Sequence, residues 1–155
     1  MLNYLYLVQH GEAKSNEEDP TRPLNNTGIL NAEKAGNFLK QRQKEISIII
    51  HSGKKRAEQT AQIIADTMGQ TIKIETHSGL APMDDTSIIK KEIEQTEHHS
   101  MMICGHLPHL SRLASHLLTG NNDRDIIRFK NAGIVCLSNA YGTWHLEWMA
   151  TPEIM

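Results

Sequence analysis

Three apolar runs in the sequence each end in a polar side chain next to a glycine. Gln9-His10-Gly11 follows the run at 4–8, His51-Ser52-Gly53 follows the run at 46–50, and Gly105-His106 follows the run at 101–104. An imidazole in such a turn can act as a nucleophile, a base or a hydrogen-bond donor. The carboxyl ends of parallel strands meet at one edge of a sheet, and ligands bind there. If the runs are parallel strands, we expect His10 and His106 to lie close together.

Two arginines can join these histidines. Arg22 lies in a long polar loop at 12–25, and Arg56 falls in the first turn of a helix that begins after Gly53. A cation opposes the helix dipole at that position, so an arginine there is expected when an anion sits at the helix start. Arginine also matches the oxygens of a phosphate group with two hydrogen bonds. Two histidines and two arginines at one edge favour a phosphate site, although each side chain alone is equally typical of a surface charge or an ordinary strand end.

The elements that must position these residues alternate between strand and helix. Strongly β-branched or alternating segments indicate strands, and apolar residues spaced three and four apart indicate helices. In the first helix we expect Asn26 or Thr27 to be the cap and Leu30 to belong to the buried stripe. The pattern predicts an α/β three-layer α/β/α sandwich with a mostly parallel central sheet and a late antiparallel hairpin. The predicted strands are 4–9, 46–50, 72–74, 101–104, 133–137 and 144–148, and the predicted helices are 27–43, 54–68, 86–96 and 108–118.

The bulk properties exclude several classes of protein. A length of 155 residues fits one domain, 1–155, with a sizeable core. The net charge of −2 argues against a general nucleic-acid binder. No apolar run approaches the ~20 residues that span a membrane, and the N-terminus lacks the features of a signal peptide. Cys104 and Cys136 lie in apolar stretches, where reduced core thiols are expected. We therefore expect a cytoplasmic protein without a membrane or nucleic-acid partner, and a monomer.

Five short motifs give the chain a resemblance to a known family. They are Val8-Gln9-His10-Gly11-Glu12-Ala13, Arg22-Pro23-Leu24 with Gly28, Ser52 to Thr60, Leu80-Ala81-Pro82 and Gly105-His106-Leu107-Pro108. The ordered set resembles the histidine phosphatase superfamily, the phosphoglycerate-mutase-like group. Within that group, the small size without insertions is similar to the SixA-type phosphohistidine phosphatases.

The resemblance implies a hydrolase and a role for each matched residue. His10 matches the nucleophile that accepts the phosphoryl group, while Arg56 and His106 match the second arginine and second histidine of the phosphate pocket. Arg22 matches a further phosphate contact. The implied substrate is a phosphorylated protein, such as a histidine phosphotransfer domain of two-component signalling. Neither a metal nor another cofactor is required. His106 and His109 have a spacing that metal ligands can share, but no third ligand is evident.

The chain departs from the family at position 9, where Gln9 replaces the usual arginine. Glutamine can donate a hydrogen bond to phosphate but carries no charge. The lost charge would cost about 1.5–3 kcal/mol if it is felt in the transition state. A weakened enzyme or a non-catalytic phosphate-binding module therefore stays open as an alternative to a fully active phosphatase.

The general acid is a second open question. Larger relatives use a carboxylic acid, and Asp84, Asp85 and Glu12 are the candidates in this chain, with solvated loop carboxylates as the alternative. A phosphohistidine substrate weakens the need for such an acid, because its leaving imidazole has a pKa near ~6.5 and can leave protonated. A broad small-molecule phosphomonoesterase of the same superfamily would need one. We also expect the hydroxyl of Ser52 to orient Arg56.

Overall fold

The computed structural model describes residues 1–155 as six strands and four helices around one sheet. A 3₁₀ turn, Pro152–Ile154, follows the last strand. The strands are β1 Tyr4–Gln9, β2 Ile48–His51, β3 Lys73–Thr76, β4 Ser100–Gly105, β5 Ile134–Ala140 and β6 Thr143–Ala150, and the helices are α1 Asn26–Gln41, α2 Lys55–Met68, α3 Thr86–Gln95 and α4 His109–Thr119.

The sheet has the order β3-β2-β4-β1-β5-β6, and only β5 and β6 run antiparallel to their neighbours. Alternate strand residues face opposite sides, because successive side chains of a strand point in opposite directions. Leu5, Leu7 and Ile103 pack with α3 and α4, whereas Tyr6 and Val8 pack with α1 and α2. The predicted three-layer α/β/α sandwich with a late antiparallel hairpin is confirmed.

The first strand lies in the middle of this sheet. β1 pairs in parallel with β4 from Tyr4 to Gln9 and antiparallel with β5 from Tyr4 to Val8. Its interior residues are almost completely buried, which explains why the run is apolar on both faces. The carboxyl ends of β1, β2 and β4 therefore meet at one edge of the sheet.

Several details of the secondary structure differ from the sequence prediction, and β5 and β6 also extend further than predicted, to Ala140 and Ala150. The cap of α1 is Asn25 rather than Asn26 or Thr27, since the Asn25 side chain accepts a hydrogen bond from the backbone N–H of Gly28. Leu30 is 58% exposed and does not belong to the buried stripe. The buried stripe of α1 is formed mainly by its small residues, which let this helix approach α2 closely. β2 begins at Ile48, two residues later than predicted, and ends at His51.

None of the four helices is both long and apolar enough to cross a membrane.

Candidate active site

His10 lies directly after β1 with its ring held in one orientation. Its Nδ1 is 2.7 Å from the carbonyl oxygen of Gly11. A carbonyl only accepts hydrogen bonds, so Nδ1 carries the proton and Nε2 keeps its lone pair. The backbone of His10 is fixed as well, because its N–H donates to the carbonyl of Gly105 and its carbonyl accepts from the side chain of Asn131. The result is a neutral, oriented imidazole with a free Nε2.

His106 lies beside His10 at the end of β4. The ring centroids are 5.1 Å apart, and His106 is only 2% exposed. Its Nε2 lies 2.6 Å from the hydroxyl of Ser52, which follows β2. Its Nδ1 is buried and has no partner within the chain. The sheet therefore brings together the ends of three strands, as the sequence predicts.

Arg56 is the second residue of α2, and its position is coupled to the backbone after His10. Thr60 donates a hydrogen bond to the carbonyl of Arg56 and accepts one from the N–H of Gly11. The side-chain Nε of Arg56 is buried without a partner. The guanidinium of Arg56 lies in the first turn of α2, and the start of a helix favours an anion.

Arg22 reaches the site from the 12–25 loop. Its backbone has a φ of 48°, in the left-handed region that costs a non-glycine residue about 1–2 kcal/mol. Its Nε donates to the carbonyl of Lys14, 3.2 Å away, which ties the two sides of the loop together. Strained backbone often occurs at functional sites, where the surrounding structure holds the residue in place.

The site keeps both histidines neutral. Burial lowers the pKa of His10 most, the hydrogen bond to Gly11 opposes that effect, and the charges of Arg56 and Arg22 lower it further. Burial, together with His10, Arg56 and Lys54, lowers the pKa of His106 to about 3. Two neutral imidazoles among positive charges form a site that favours an anion.

The candidate carboxylates are engaged elsewhere. Asp84 accepts a hydrogen bond from the N–H of Ala81 at 3.0 Å, and Asp85 caps α3 by accepting from the N–H of Ser87. Glu12 is exposed and accepts from the side chain of Asn25. Each carboxylate has a structural role in closing a loop or capping a helix.

Ser52 differs from expectation, whereas Gln9 lies at the site as expected. The prediction that Ser52 orients Arg56 is wrong, because the Ser52 hydroxyl contacts His106 and accepts from the N–H of Lys54. The cause is the sheet order, which places β2 next to β4. Gln9 ends β1 at the site, and its side-chain oxygen is buried without a hydrogen-bond partner.

Sequence reasoning missed three positioning residues. Thr60 links the α2 backbone to Gly11, Gln59 accepts from the N–H of Leu24, and Asn131 holds the carbonyl of His10. Thr60 and Gln59 were visible as part of the segment around Arg56, one helical turn or less from it. Nothing in the sequence marks Asn131, since its role depends on β5 returning beside β1.

The comparisons with known proteins agree with this geometry. Residues 5–84 match the model of the histidine phosphatase superfamily (branch 1). The chain belongs to the histidine phosphatase superfamily. It is thus a member of a hydrolase family, as its motifs predict. The matched segment contains His10, Arg22 and Arg56, while His106 lies beyond it.

Two relatives of the chain carry names of different enzymes of the superfamily. The chain is 24% identical to the phosphohistidine phosphatase SixA of Escherichia coli over 152 residues, 96% of this chain and 93% of that protein. It is 37% identical to a phosphoglycerate mutase of Schizosaccharomyces pombe over 84 residues, which cover 47% of this chain and 39% of that protein. The SixA likeness therefore extends over nearly the whole chain and the mutase likeness over part of it.

A solved structure resembles the chain over nearly its whole length. The structure of the protein histidine phosphatase SixA complexed with tungstate superimposes with a TM-score of 0.87 at 23% identity. The match covers 97% of this chain and 98% of that one. The expected resemblance to SixA-type proteins is confirmed in size and fold.

Proposed function

We propose that this protein is a phosphohistidine phosphatase that removes phosphate from a protein histidine through a phosphorylated His10. The substrate class we propose is a histidine phosphotransfer domain of a two-component signalling relay in the cytoplasm. The observation that carries the proposal is the bond from Nδ1 of His10 to Gly11, which leaves Nε2 free beside His106 and the two arginines. We further propose that residues 1–155 act as one domain and as a monomer.

The reaction divides into two displacements at phosphorus. Nε2 of His10 attacks the phosphoryl group, the bond from phosphorus to the substrate histidine breaks, and its electron pair stays on the leaving imidazole. Water then attacks phosphorylated His10, which releases phosphate and restores the neutral ring. Arg56, Arg22 and His106 are the groups that would hold the phosphoryl oxygens as negative charge shifts in the transition state.

The engaged carboxylates favour phosphohistidine over an alcohol phosphate. A leaving alkoxide needs a proton from a nearby acid, and Asp84, Asp85 and Glu12 already accept structural hydrogen bonds. A leaving imidazole can depart protonated, because its pKa is near ~6.5. The full-length likeness to the phosphohistidine phosphatase SixA supports the same choice, and the tungstate in a SixA structure supports an oxyanion at this site.

The position of Gln9 favours one alternative. A neutral amide replaces a cation at the end of β1, so the protein can bind phosphate with less stabilisation of the transition state. The protein would then be a weakened enzyme or a non-catalytic phosphate-binding module. A small-molecule phosphomonoesterase is the other alternative, and it requires one of the engaged carboxylates to serve as the acid.

Phosphoryl transfer to His10 tests the proposal. Purified protein is incubated with a chemically phosphorylated histidine phosphotransfer domain and sampled rapidly by mass spectrometry. We expect a transient adduct on His10 that survives alkali and is lost in acid, together with release of phosphate. The His10→Ala variant should show neither adduct nor turnover while keeping the wild-type unfolding midpoint.

Each failure has a separate meaning. Binding of phosphate without any adduct on His10 and without turnover would support a non-catalytic phosphate-binding module. Faster turnover of nitrophenyl phosphate or sugar phosphates than of the phosphorylated domain would support the phosphomonoesterase, above all if it depends on Asp84 or Asp85.

A further inference from the structure

The support of the His10 ring extends beyond the site into the first turn of α1. Nδ1 of His10 donates to the carbonyl of Gly11, while the N–H of Gly11 donates to the hydroxyl of Thr60. The carbonyl of Gly11 and the N–H of Glu12 belong to one peptide unit, which is planar and moves as a rigid group. Whatever holds the backbone of Glu12 therefore also places the acceptor that orients His10.

Gly28, in the first turn of α1, packs directly on that backbone. It is buried, and a Cβ added to it would overlap the carbonyl oxygen of Glu12 and lie 2.9 Å from the Glu12 nitrogen. The close approach is mutual, since a Cβ on Gly11 would lie 2.9 Å from the carbonyl oxygen of Gly28. Backbone atoms cannot rotate out of such contacts as a side chain can. The absence of a Cβ at both positions therefore lets α1 lie against the turn that follows β1.

Asn25 ties the same helix turn to the same backbone. Its N–H donates to the carbonyl of Glu12 at 3.0 Å, and its side-chain oxygen accepts from the N–H of Gly28 at 2.8 Å. Its side-chain nitrogen also donates to the carboxylate of Glu12 at 3.0 Å. If a larger residue at position 28 pushed Glu12 away, these hydrogen bonds would be strained.

We propose that Gly28 is a positioning residue for His10. It acts through the backbone of Glu12 and the carbonyl of Gly11, which keeps the proton on Nδ1 and leaves Nε2 free to attack. The inference deepens the proposed phosphohistidine phosphatase function and rests on it for the role of His10. It also explains why a glycine, which weakens a helix relative to alanine, occupies a buried position in the first turn of α1.

Gly28→Ala tests this role, and Gly36→Ala is the matched control. Gly36 is also buried in α1, but its added Cβ would lie 2.6 Å from the side chain of Thr67 and 3.0 Å from the carbonyl of Ile64, both on α2 and away from His10. One measurement is kcat on free phosphohistidine. The other is the nitrogen NMR spectrum of the His10 ring, whose signals are those missing from His10→Ala.

We expect Gly28→Ala to lower kcat by about 10- to 100-fold, since a displacement of about 1 Å at a reacting group can cost that much. Its His10 ring should lose the signature of a proton confined to Nδ1. Gly36→Ala should lower the unfolding midpoint and keep both the wild-type kcat and that signature. Wild-type kcat with an unchanged ring in Gly28→Ala, or equal losses of kcat in the two variants, would overturn the proposal.

A second pair of variants decides the question if Gly28→Ala does not fold. Asn25→Ala removes the oxygen that accepts from Gly28 and should lower kcat by about 5-fold, whereas Asn25→Ser keeps a capping oxygen and should stay near wild type. Equal kcat in these two variants would overturn the positioning role. If the wild-type protein forms no phosphorylated His10, the proposed function fails, while the ring signals of the variants still test the positioning of His10 on their own.

Discussion

The hydroxyl of Ser52 lies 2.6 Å from Nε2 of His106 and joins the ends of the neighbouring strands β2 and β4. The Ser52 oxygen also accepts from the N–H of Lys54 at 3.3 Å, so its proton can be donated to the histidine. A histidine that accepts at Nε2 carries its own proton on Nδ1. Since the buried Nδ1 of His106 has no partner within the chain, the contact with Ser52 is the hydrogen bond that fixes this ring beside His10.

Removal of this hydroxyl should slow the reaction without unfolding the protein. We expect Ser52→Ala to lower kcat about 10-fold, because a hydrogen bond that fixes the donor is worth about 1–1.5 kcal/mol. Ser52→Thr keeps a hydroxyl and should recover most of the loss. Steady-state kinetics on free phosphohistidine measure kcat, and thermal unfolding controls for stability. An unchanged kcat in Ser52→Ala would show that His106 needs no tautomeric control.

Restoring a cation at position 9 should raise the rate. We expect Gln9→Arg to increase kcat by about 10- to 100-fold, the effect of regaining a charge-assisted contact worth about 1.5–3 kcal/mol. Gln9→Met is the neutral control, since it removes a buried oxygen that has no partner. Denaturant titration should show Gln9→Met to be as stable as wild type or more so. If both variants turn over at the wild-type rate, position 9 does not limit catalysis.

The acid limb of the pH–activity profile, over which activity is lost as the pH falls, should lie below the ordinary histidine range. Protonated His10 cannot attack, and burial followed by the charges of Arg56 and Arg22 lowers its pKa. Activity should therefore persist below pH ~6.5, the ordinary histidine value, and fall only as the pH drops through the lowered pKa. Arg22→Gln removes one of these charges and should move the limb to higher pH. The measurement is kcat/KM for a small substrate across the acid range, and a limb above pH ~6.5 would contradict the assignment.

His77 should stabilise the fold at acid pH, where its imidazole is protonated. Its Nε2 lies 2.9 Å from Glu75 and its Nδ1 lies 2.6 Å from Glu92 on α3. Burial alone would lower the pKa of His77, but the two carboxylates outweigh it and raise the pKa. The contribution to stability is therefore fully present below pH ~6.5 and is lost as the pH rises through the raised value.

We expect His77→Gln to lower the free energy of unfolding by about 1 kcal/mol or less at pH 6, since the pair is partly solvated, and to change little at pH 9. Urea titrations at the two pH values measure the difference. A larger loss at pH 9 than at pH 6 would rule out this ion pair as the cause.

Asp85 should matter for stability and not for chemistry. Its side chain caps α3, so Asp85→Ala should lower the unfolding midpoint, whereas Asp85→Asn keeps a good capping residue and should leave the midpoint in place. Turnover of free phosphohistidine should stay at the wild-type rate in Asp85→Asn. A loss of turnover in that variant would make the carboxyl group a general acid.

The sequence predicts most of the fold because each element carries its own local pattern. The β-branched run before His51 and the apolar face of α4 are examples, and both are buried as expected. The shared sheet edge also follows from the parallel order, so His10 and His106 could be placed together. The cap at Asn25 and the exposure of Leu30 could not, because Asn25 is held by the carbonyl of Glu12 across the loop and the buried face of α1 follows its small residues. The contact of Asn131 with His10 joins residues far apart in the chain and leaves no local pattern.

The central place of β1 in the sheet governs when the protein can become active during its synthesis. β1 leaves the ribosome before its partners β4 and β5, which occupy Ser100–Gly105 and Ile134–Ala140. Until both have been translated, the strand that carries His10 has at least one unpaired edge, and Asn131 has not arrived to hold its carbonyl. Such long-range pairings form late, after the intervening chain has closed around them. A nascent chain should therefore contain the nucleophile long before β5 has been made and lack a working site until then.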